Sequence, residues 1–121
     1  PRTFLTVNVV AADTEEEALA GMLPQARMMA RLRGNRPLVA LETVEGAAAA
    51  EAEDNLATPL LDTMRQRWFV GTGPDVTTRL GAFAATHGVD EIMVSPVAAA
   101  TEAEPLDGAS SRIRTLELLA A

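Results

Sequence analysis

The stretch from residue 67 to residue 96 constrains the fold most, because it reads as one complete βαβ unit. A short apolar strand leads to Thr72, which can cap a helix, and to Pro74, which suits a first helical turn because its missing N–H needs no partner there. Gly88 predicts the end of that helix, and the apolar run at 89–94 predicts a buried strand parallel to the first. The apolar residues of the predicted helix recur on one face: Val76, Leu80, Phe83 and Ala84.

Composition limits the class of protein. The 121 residues suffice for one α/β domain with a modest core, and 48% of them are hydrophobic. A net charge of −7 opposes binding to nucleic acid. The chain has no cysteine and one histidine, His87, so we expect neither a disulfide nor a metal site. No apolar run approaches the roughly 18 residues that span a bilayer, and no leader is evident, so we expect no membrane partner and a cytoplasmic location.

The sequence on either side of the βαβ unit predicts further strands and helices. β-Branched residues alternate over residues 3–10, which predicts a strand. Thr14 predicts a capped helix that continues to about residue 33, with Pro24 as a kink or a restart. A serine near residue 110 can cap a last helix. The predicted buried face of this last helix consists of Ile113, Leu116, Leu119 and Ala120.

Residues 37–66 read as an insert between the first helix and the βαβ unit. Residues 46–53 are alanine-rich and acidic, so their helix propensity is high but they offer no broad apolar stripe to bury. We therefore expect a mobile surface helix or loop there. Thr58 and Pro59 are typical of a helix start and predict a short helix before the strand near Trp68. The predicted order within one α/β domain is β-α-insert-β-α-β-α.

Four stretches resemble, in the same order, the C-terminal third of bacterial luciferase-like flavin monooxygenases: residues 6–18, 69–72, 88–94 and 112–120. The resemblance implies a partial (β/α)8 barrel, to which the chain supplies three parallel strands, equivalent to strands six to eight, with their helices. It also implies a reduced flavin, FMN or a deazaflavin, at the carboxyl ends of the strands, where oxygen is activated and transferred to a small-molecule substrate. Strands one to five have no counterpart in this sequence. The resemblance therefore implies a larger parent enzyme, an inactive isolated chain and no flavin bound by the chain alone.

An unfinished barrel has an uncovered surface. Strands joined by right-handed crossovers in one direction carry all their helices on one face of the sheet. The other face would expose several hundred Å² of apolar area, on the order of the largest patch that monomers tolerate. Three arrangements would remove it: pairing with a second copy, completion by missing sequence, or a strand order that places helices on both faces. We expect the isolated chain to form a homo-oligomer through this face.

The candidate cofactor-binding residues are Asn8, Gly71, Thr72 and Ser95. The backbone amides at Gly71 and Thr72 begin a helix and could hold a phosphate or a flavin edge, but these residues also suit an ordinary βα turn. Ser95 lies at a strand end, where a barrel would direct it at a cofactor, although it could simply end the strand. Asn8, if it faces inward, needs a partner that a flavin, a substrate, the backbone or solvent could supply. No residue is assigned as catalytic.

Two other functions fit parts of the sequence. A non-enzymatic α/β module could use a bare sheet face for assembly alone. A chain that opens with Pro1 and a strand also resembles tautomerases, in which the N-terminal proline amine is the base and a cation such as Arg2 tunes it. The tautomerase hypothesis requires Pro1 to be the natural N-terminus.

Overall fold

The centre of the computed structural model, which describes residues 4–105 and 108–120, is a three-stranded parallel sheet. Its strands are β1 (Phe4–Ala12), β2 (Phe69–Thr72) and β3 (Glu91–Pro96). The strand order is β2-β1-β3, so β1 lies in the middle. The predicted α/β class and parallel sheet are confirmed. The order differs from the arrangement expected of three consecutive barrel strands, in which β2 would stand between β1 and β3.

Five helices surround the sheet in the described residues. They are α1 (Glu15–Arg33), α2 (Val44–Asp54), α3 (Thr58–Arg67), α4 (Gly73–His87) and α5 (Ser110–Ala120). Helix α1 continues through Pro24, so the predicted restart there is wrong. None of these helices combines the length and the apolar character needed to cross a membrane. Pro1 and Arg2 lie outside the described residues, so the tautomerase hypothesis stays a prediction.

The predicted caps fix the starts of α1 and α4. The Thr14 side chain accepts a hydrogen bond from the Glu17 N–H at 3.1 Å. The Thr72 side chain accepts one from the Asp75 N–H at 3.4 Å. Helix α4 ends at Gly88, whose φ of 62° is the left-handed conformation that glycine adopts without a steric penalty. Local sequence chemistry therefore sets these helix ends.

Helices pack on both faces of the sheet, which corrects the expectation that one face is entirely bare. Val10 and Val70 pack against α1 and α3 on one face, whereas Val9 and Phe69 pack against α4 and α5 on the other. The strand order explains this arrangement. The connection from β1 to β2 moves one way across the sheet, and the connection from β2 to β3 returns past β1. Right-handed crossovers in opposite directions place their helices on opposite faces.

One part of the sheet remains uncovered on the α1 side. Helix α1 packs on β2 and on the carboxyl half of β1, which leaves the region shared by the rest of β1 and β3. Thr6 and Met93 are exposed there, and Asn8 and Ser95 are half-buried. We call these four residues the open face. The bare surface expected from the sequence is thus confined to the β1–β3 half of the sheet.

Two expectations about helix faces are wrong. The alanine-rich stretch belongs to α2, but this helix packs against α1, with Ala47 fully buried, instead of lying loose on the surface. In α5, Thr115 is buried against β1, whereas Ile113 is 51% exposed and Leu116 is 46% exposed. Leu119 of the predicted face packs against the core, but Thr115, bonded to Ala11 of β1, takes the inward position beside it.

Candidate functional site

Asn8 and Ser95 are direct neighbours across the β1–β3 pair. Partners in a parallel register point to the same side of the sheet, and both side chains belong to the open face. Thr6 and Met93 form the next pair down the same face. The two strands thus bring together two of the four candidate cofactor-binding residues that were predicted from the sequence.

Both polar side chains are available for a ligand. Within the described residues, neither the Asn8 amide nor the Ser95 hydroxyl has a hydrogen bond to another protein group. Both are half-buried, so solvent or an added group can reach them. An amide offers a donor and an acceptor, and a hydroxyl offers both as well. The pair suits the neutral polar edge of a ring system better than a phosphate, which calls for cations or clustered amides.

Gly71 and Thr72 lie elsewhere on the sheet. They pair with Ala11 and Ala12 at the carboxyl end of β1, on the strand edge opposite β3. Ala12 lies four positions along β1 from Asn8, a distance of roughly 13 Å at the usual rise per residue. The structure therefore does not unite the four candidate residues in one site.

The surroundings of Gly71 and Thr72 favour an ordinary βα turn. A Cβ atom at Gly71 would meet the Asp75 Oδ2 at 2.8 Å, which places that carboxylate against the turn. A Cβ atom at Gly73 would meet the Leu118 carbonyl oxygen at 2.7 Å, so α5 approaches the start of α4 closely. The carboxylate repels an anion, and α5 limits access to the first amides. The turn is a poor phosphate cradle in this arrangement.

A cavity of about 170 Å³ lies at the carboxyl end of β1. Its wall includes Val10, Gly21 and Ala98, and its rim carries charged side chains from the residues after β1 and from α5. Asp13 accepts a hydrogen bond from Arg114 at 2.6 Å across this rim. No sequence pattern predicted this cavity. The sequence feature that could have indicated the cavity is Asp13, the acidic residue directly after β1, because ligands bind at the carboxyl ends of parallel strands in α/β folds.

The largest buried polar group is Arg27, which is 1% exposed. Its guanidinium donates to Glu42 at 2.8 Å, to Glu51 at 2.6 Å and to Asp54 at 2.9 and 3.1 Å. The Asp54 hydrogen bond raises the pKa of Arg27, and the bonds to Glu42 and Glu51 help to outweigh the opposing effect of burial. We call these four residues the Arg27 cluster. It ties α1 to the insert, and no sequence pattern predicted it.

Glu51 links the Arg27 cluster to the start of α3. It accepts hydrogen bonds from the Ala57 N–H at 3.0 Å and from the Thr58 N–H and hydroxyl at 2.7 Å each. Burial raises the pKa of Glu51, but the hydrogen bonds from Thr58, Ala57 and Arg27 outweigh it and lower the pKa. Glu51, and not Thr58, therefore supplies the cap of α3. Across the described ranges, no group of three or more acidic, histidine or cysteine side chains could hold a metal ion.

Comparison with known proteins found a likeness to a solved structure. No protein-family profile matches the chain, and no curated protein matches it. The chain superposes on the crystal structure of apo-MsnO8 with a TM-score of 0.69 and 26% sequence identity. This chain shares the fold of part of MsnO8. The match covers 99% of this chain and 34% of the MsnO8 chain, so this chain spans about a third of the length of that solved protein.

The likeness to MsnO8 extends over nearly the whole chain, and it therefore includes α2 and α3 as well as the sheet. The insert lies within the length that the match covers. The Asn8–Ser95 pair, the cavity and the Arg27 cluster all lie within the matched length.

Proposed function

We propose that this chain is the C-terminal part of a flavin-dependent, luciferase-like monooxygenase barrel in which β1 and β3 are neighbouring strands. The observation that carries the proposal is the Asn8–Ser95 pair on the open face. In a (β/α)8 barrel the helices cover the outside and alternate strand residues fill the interior. Val7 and Val94 pack toward α4 and α5, as outward residues would, and Asn8 and Ser95 point the other way, to the face on which α1 covers β1 only near Val10. The fold shared with a third of MsnO8 supports a larger parent.

The strand edges support completion by further strands. β2 pairs with β1 only over Val9 to Ala12, so the amino half of that edge has no partner strand in the described part of the chain. β3 is an edge strand on the other side. Unpaired edges of parallel strands invite another strand, and a closed barrel removes them. In this proposal β2 is a short addition beside the barrel, because it lies outside the β1–β3 pair.

The proposed cofactor is FMN or a deazaflavin. When bound, it would supply the activation of oxygen for transfer to a small-molecule substrate. Asn8 and Ser95 would hold the polar edge of the ring and orient it, since both side chains have free hydrogen-bonding capacity on the open face. Met93 beside them would help to exclude water once the face is covered. The phosphate would lie on strands contributed by the rest of the parent.

The test uses the chain alone and a chimera in which it replaces the matching third of MsnO8. FMN is titrated into each protein and the quenching of flavin fluorescence is followed. We expect no tight binding by the isolated chain and saturable binding by the chimera. Asn8→Ala should weaken binding by the chimera, whereas Thr77→Ala, on the exposed side of α4, should not. Tight binding by the isolated chain, or a folded chimera that binds no flavin, would overturn the proposal.

A second candidate function is self-association through the open face without catalysis. Met93, which lies on this face, is 55% exposed. A homo-oligomer would cover this surface in the absence of a parent protein. Light scattering coupled to size-exclusion chromatography separates the cases. A dimer that Met93→Asp converts to a monomer would support self-association, and a compact monomer at micromolar concentration would exclude it.

A further inference from the structure

The topology of the sheet predicts a crevice at the carboxyl ends of β1 and β3. Helix α1 leaves β1 toward one face, and α5 follows β3 on the opposite face. β1 and β3 are adjacent strands, so their connections diverge at the carboxyl end. Such switch points are where ligands bind in open α/β sheets, because the diverging connections leave a gap. The cavity of about 170 Å³ lies at this point.

The cavity has an apolar interior of limited size. Val10 from β1, Val44 from α2 and Ala98 and Ala99 after β3 line it. Gly21 lies against the sheet there, and a Cβ atom at this position would make an ordinary contact with the Val10 Cγ1 at 3.4 Å. A cavity of about 150 Å³ is large enough for benzene. The space therefore suits a single aromatic ring or a branched aliphatic group of similar size.

The rim of the cavity is acidic. Asp13 and Arg114 neutralise each other in an ion pair with an N–O distance of 2.6 Å. The Glu17 carboxylate, also on the rim, accepts a hydrogen bond from the Thr14 hydroxyl at 3.2 Å. No arginine forms an ion pair with Glu17 anywhere in residues 4–105 and 108–120. The rim therefore carries one carboxylate that has no arginine partner among the described residues.

We propose that this cavity binds a small primary amine whose apolar body is the size of one aromatic ring. The body fills the space between Val10, Val44 and Ala98, and the ammonium group pairs with Glu17. The net charge of −7 on the chain adds a general attraction for cations. The proposal concerns residues of this chain only and does not rest on the proposed flavin chemistry.

The experiment is a two-dimensional amide NMR titration of the full chain with three probes of similar size: benzylamine, benzyl alcohol and benzoate. We expect saturable shifts at Gly21, Ala98 and Ala99 with benzylamine, weaker binding of benzyl alcohol and no saturable shifts with benzoate. Glu17→Gln should weaken benzylamine binding about threefold, in line with a solvent-accessible ion pair, and leave benzyl alcohol unchanged. Glu16→Gln is the matched control, because this exposed neighbour lies on α1 outside the cavity lining, and it should change neither probe.

A filling variant tests the location independently. Ala20 is half-buried and lines the cavity, so Ala20→Phe should abolish the benzylamine shifts while the rest of the spectrum stays folded. Absence of saturable shifts up to the solubility limit of benzylamine would overturn the proposal. So would benzoate binding as tightly as benzylamine, or equal effects of the Glu17 and Glu16 variants.

Discussion

Asn8 and Ser95 stand side by side on adjacent parallel strands, with both side chains on the open face of the sheet. The opposite face of the same two strands is packed under α4 and α5. In part of a closed (β/α)8 barrel, helices would cover one face of such a strand pair, and the other face would be exposed because the rest of the barrel is absent. This contrast between the two faces underlies the proposed function.

The Arg27 cluster should dominate the stability of the insert. Arg27→Met leaves three carboxylates without their shared cation, and removing one partner of a buried ion pair costs about 3–5 kcal/mol. Arg31→Met is the control, because Arg31 makes a single 3.4 Å contact with Glu42 at the edge of the cluster, and we expect it to cost about 0–1 kcal/mol. Urea unfolding measures both free energies of unfolding. Equal losses for the two variants would contradict the assignment.

The stability of the chain should fall in strong acid partly because of Asp54. The hydrogen bond from Arg27, with a second from the Leu56 N–H, lowers the pKa of Asp54 to about 2. A folded-state pKa below the unfolded value means that the contribution is complete above about pH 4 and disappears as the pH falls toward about 2. Asp54→Asn should therefore flatten the fall in melting temperature across that interval. Glu53→Gln, at the exposed neighbouring position, should leave the profile as steep as in the unmodified chain.

Two glycines of α4 should respond oppositely to alanine. At Gly73 the new Cβ would meet the Leu118 carbonyl oxygen at 2.7 Å, and displacing α5 should cost about 1–3 kcal/mol. At Gly81 no atom lies within 4 Å of the new Cβ. There the loss of chain entropy in the unfolded state should raise stability by about 0.4–1 kcal/mol. Thermal unfolding of both variants gives the sign of each change in stability. A Gly73→Ala variant of unchanged stability would show that α5 does not press on the turn.

Thr115 should be needed for the docking of α5. Its hydroxyl oxygen accepts a hydrogen bond from the Ala11 N–H at 3.2 Å, and the hydroxyl donates one to the Ala11 carbonyl oxygen at 3.0 Å. Thr115→Val keeps the shape but leaves the Ala11 N–H unsatisfied, which should cost about 1–3 kcal/mol. Thr78→Val, on the exposed side of α4, is the matched control and should be nearly neutral. Faster hydrogen exchange at Ala11 in the Thr115 variant alone would identify the cause.

Short-range sequence chemistry predicted the elements well. The caps at Thr14 and Thr72 and the stop at Gly88 depend on residues within one turn, so the sequence contains all the information that they need. The strand order could not be predicted from local sequence. The length and alternation of β1 do not reveal whether β2 or β3 lies beside it, because both crossovers are sterically allowed.

The candidate site was predictable only in part, for the same reason. Asn8 and Ser95 were chosen singly, and only the register of β1 with β3 reveals that they adjoin. The Arg27 cluster joins residues up to 27 positions apart, and no local pattern marks an arginine that will be buried. The same holds for Thr115 and Ala11, which are 104 positions apart.

The most direct test of the central claim is the solvent exposure of the Met93 methyl group. Methyl-labelled methionine and a soluble paramagnetic probe report it in the isolated chain and in the chimera with the remainder of MsnO8. Met22, which is 1% exposed, is the internal control against Met93, which is 55% exposed. If the open face is a barrel interior, the probe should broaden Met93 in the isolated chain at low concentration and leave it sharp in the folded chimera. Equal broadening of Met93 in the two proteins would contradict the account.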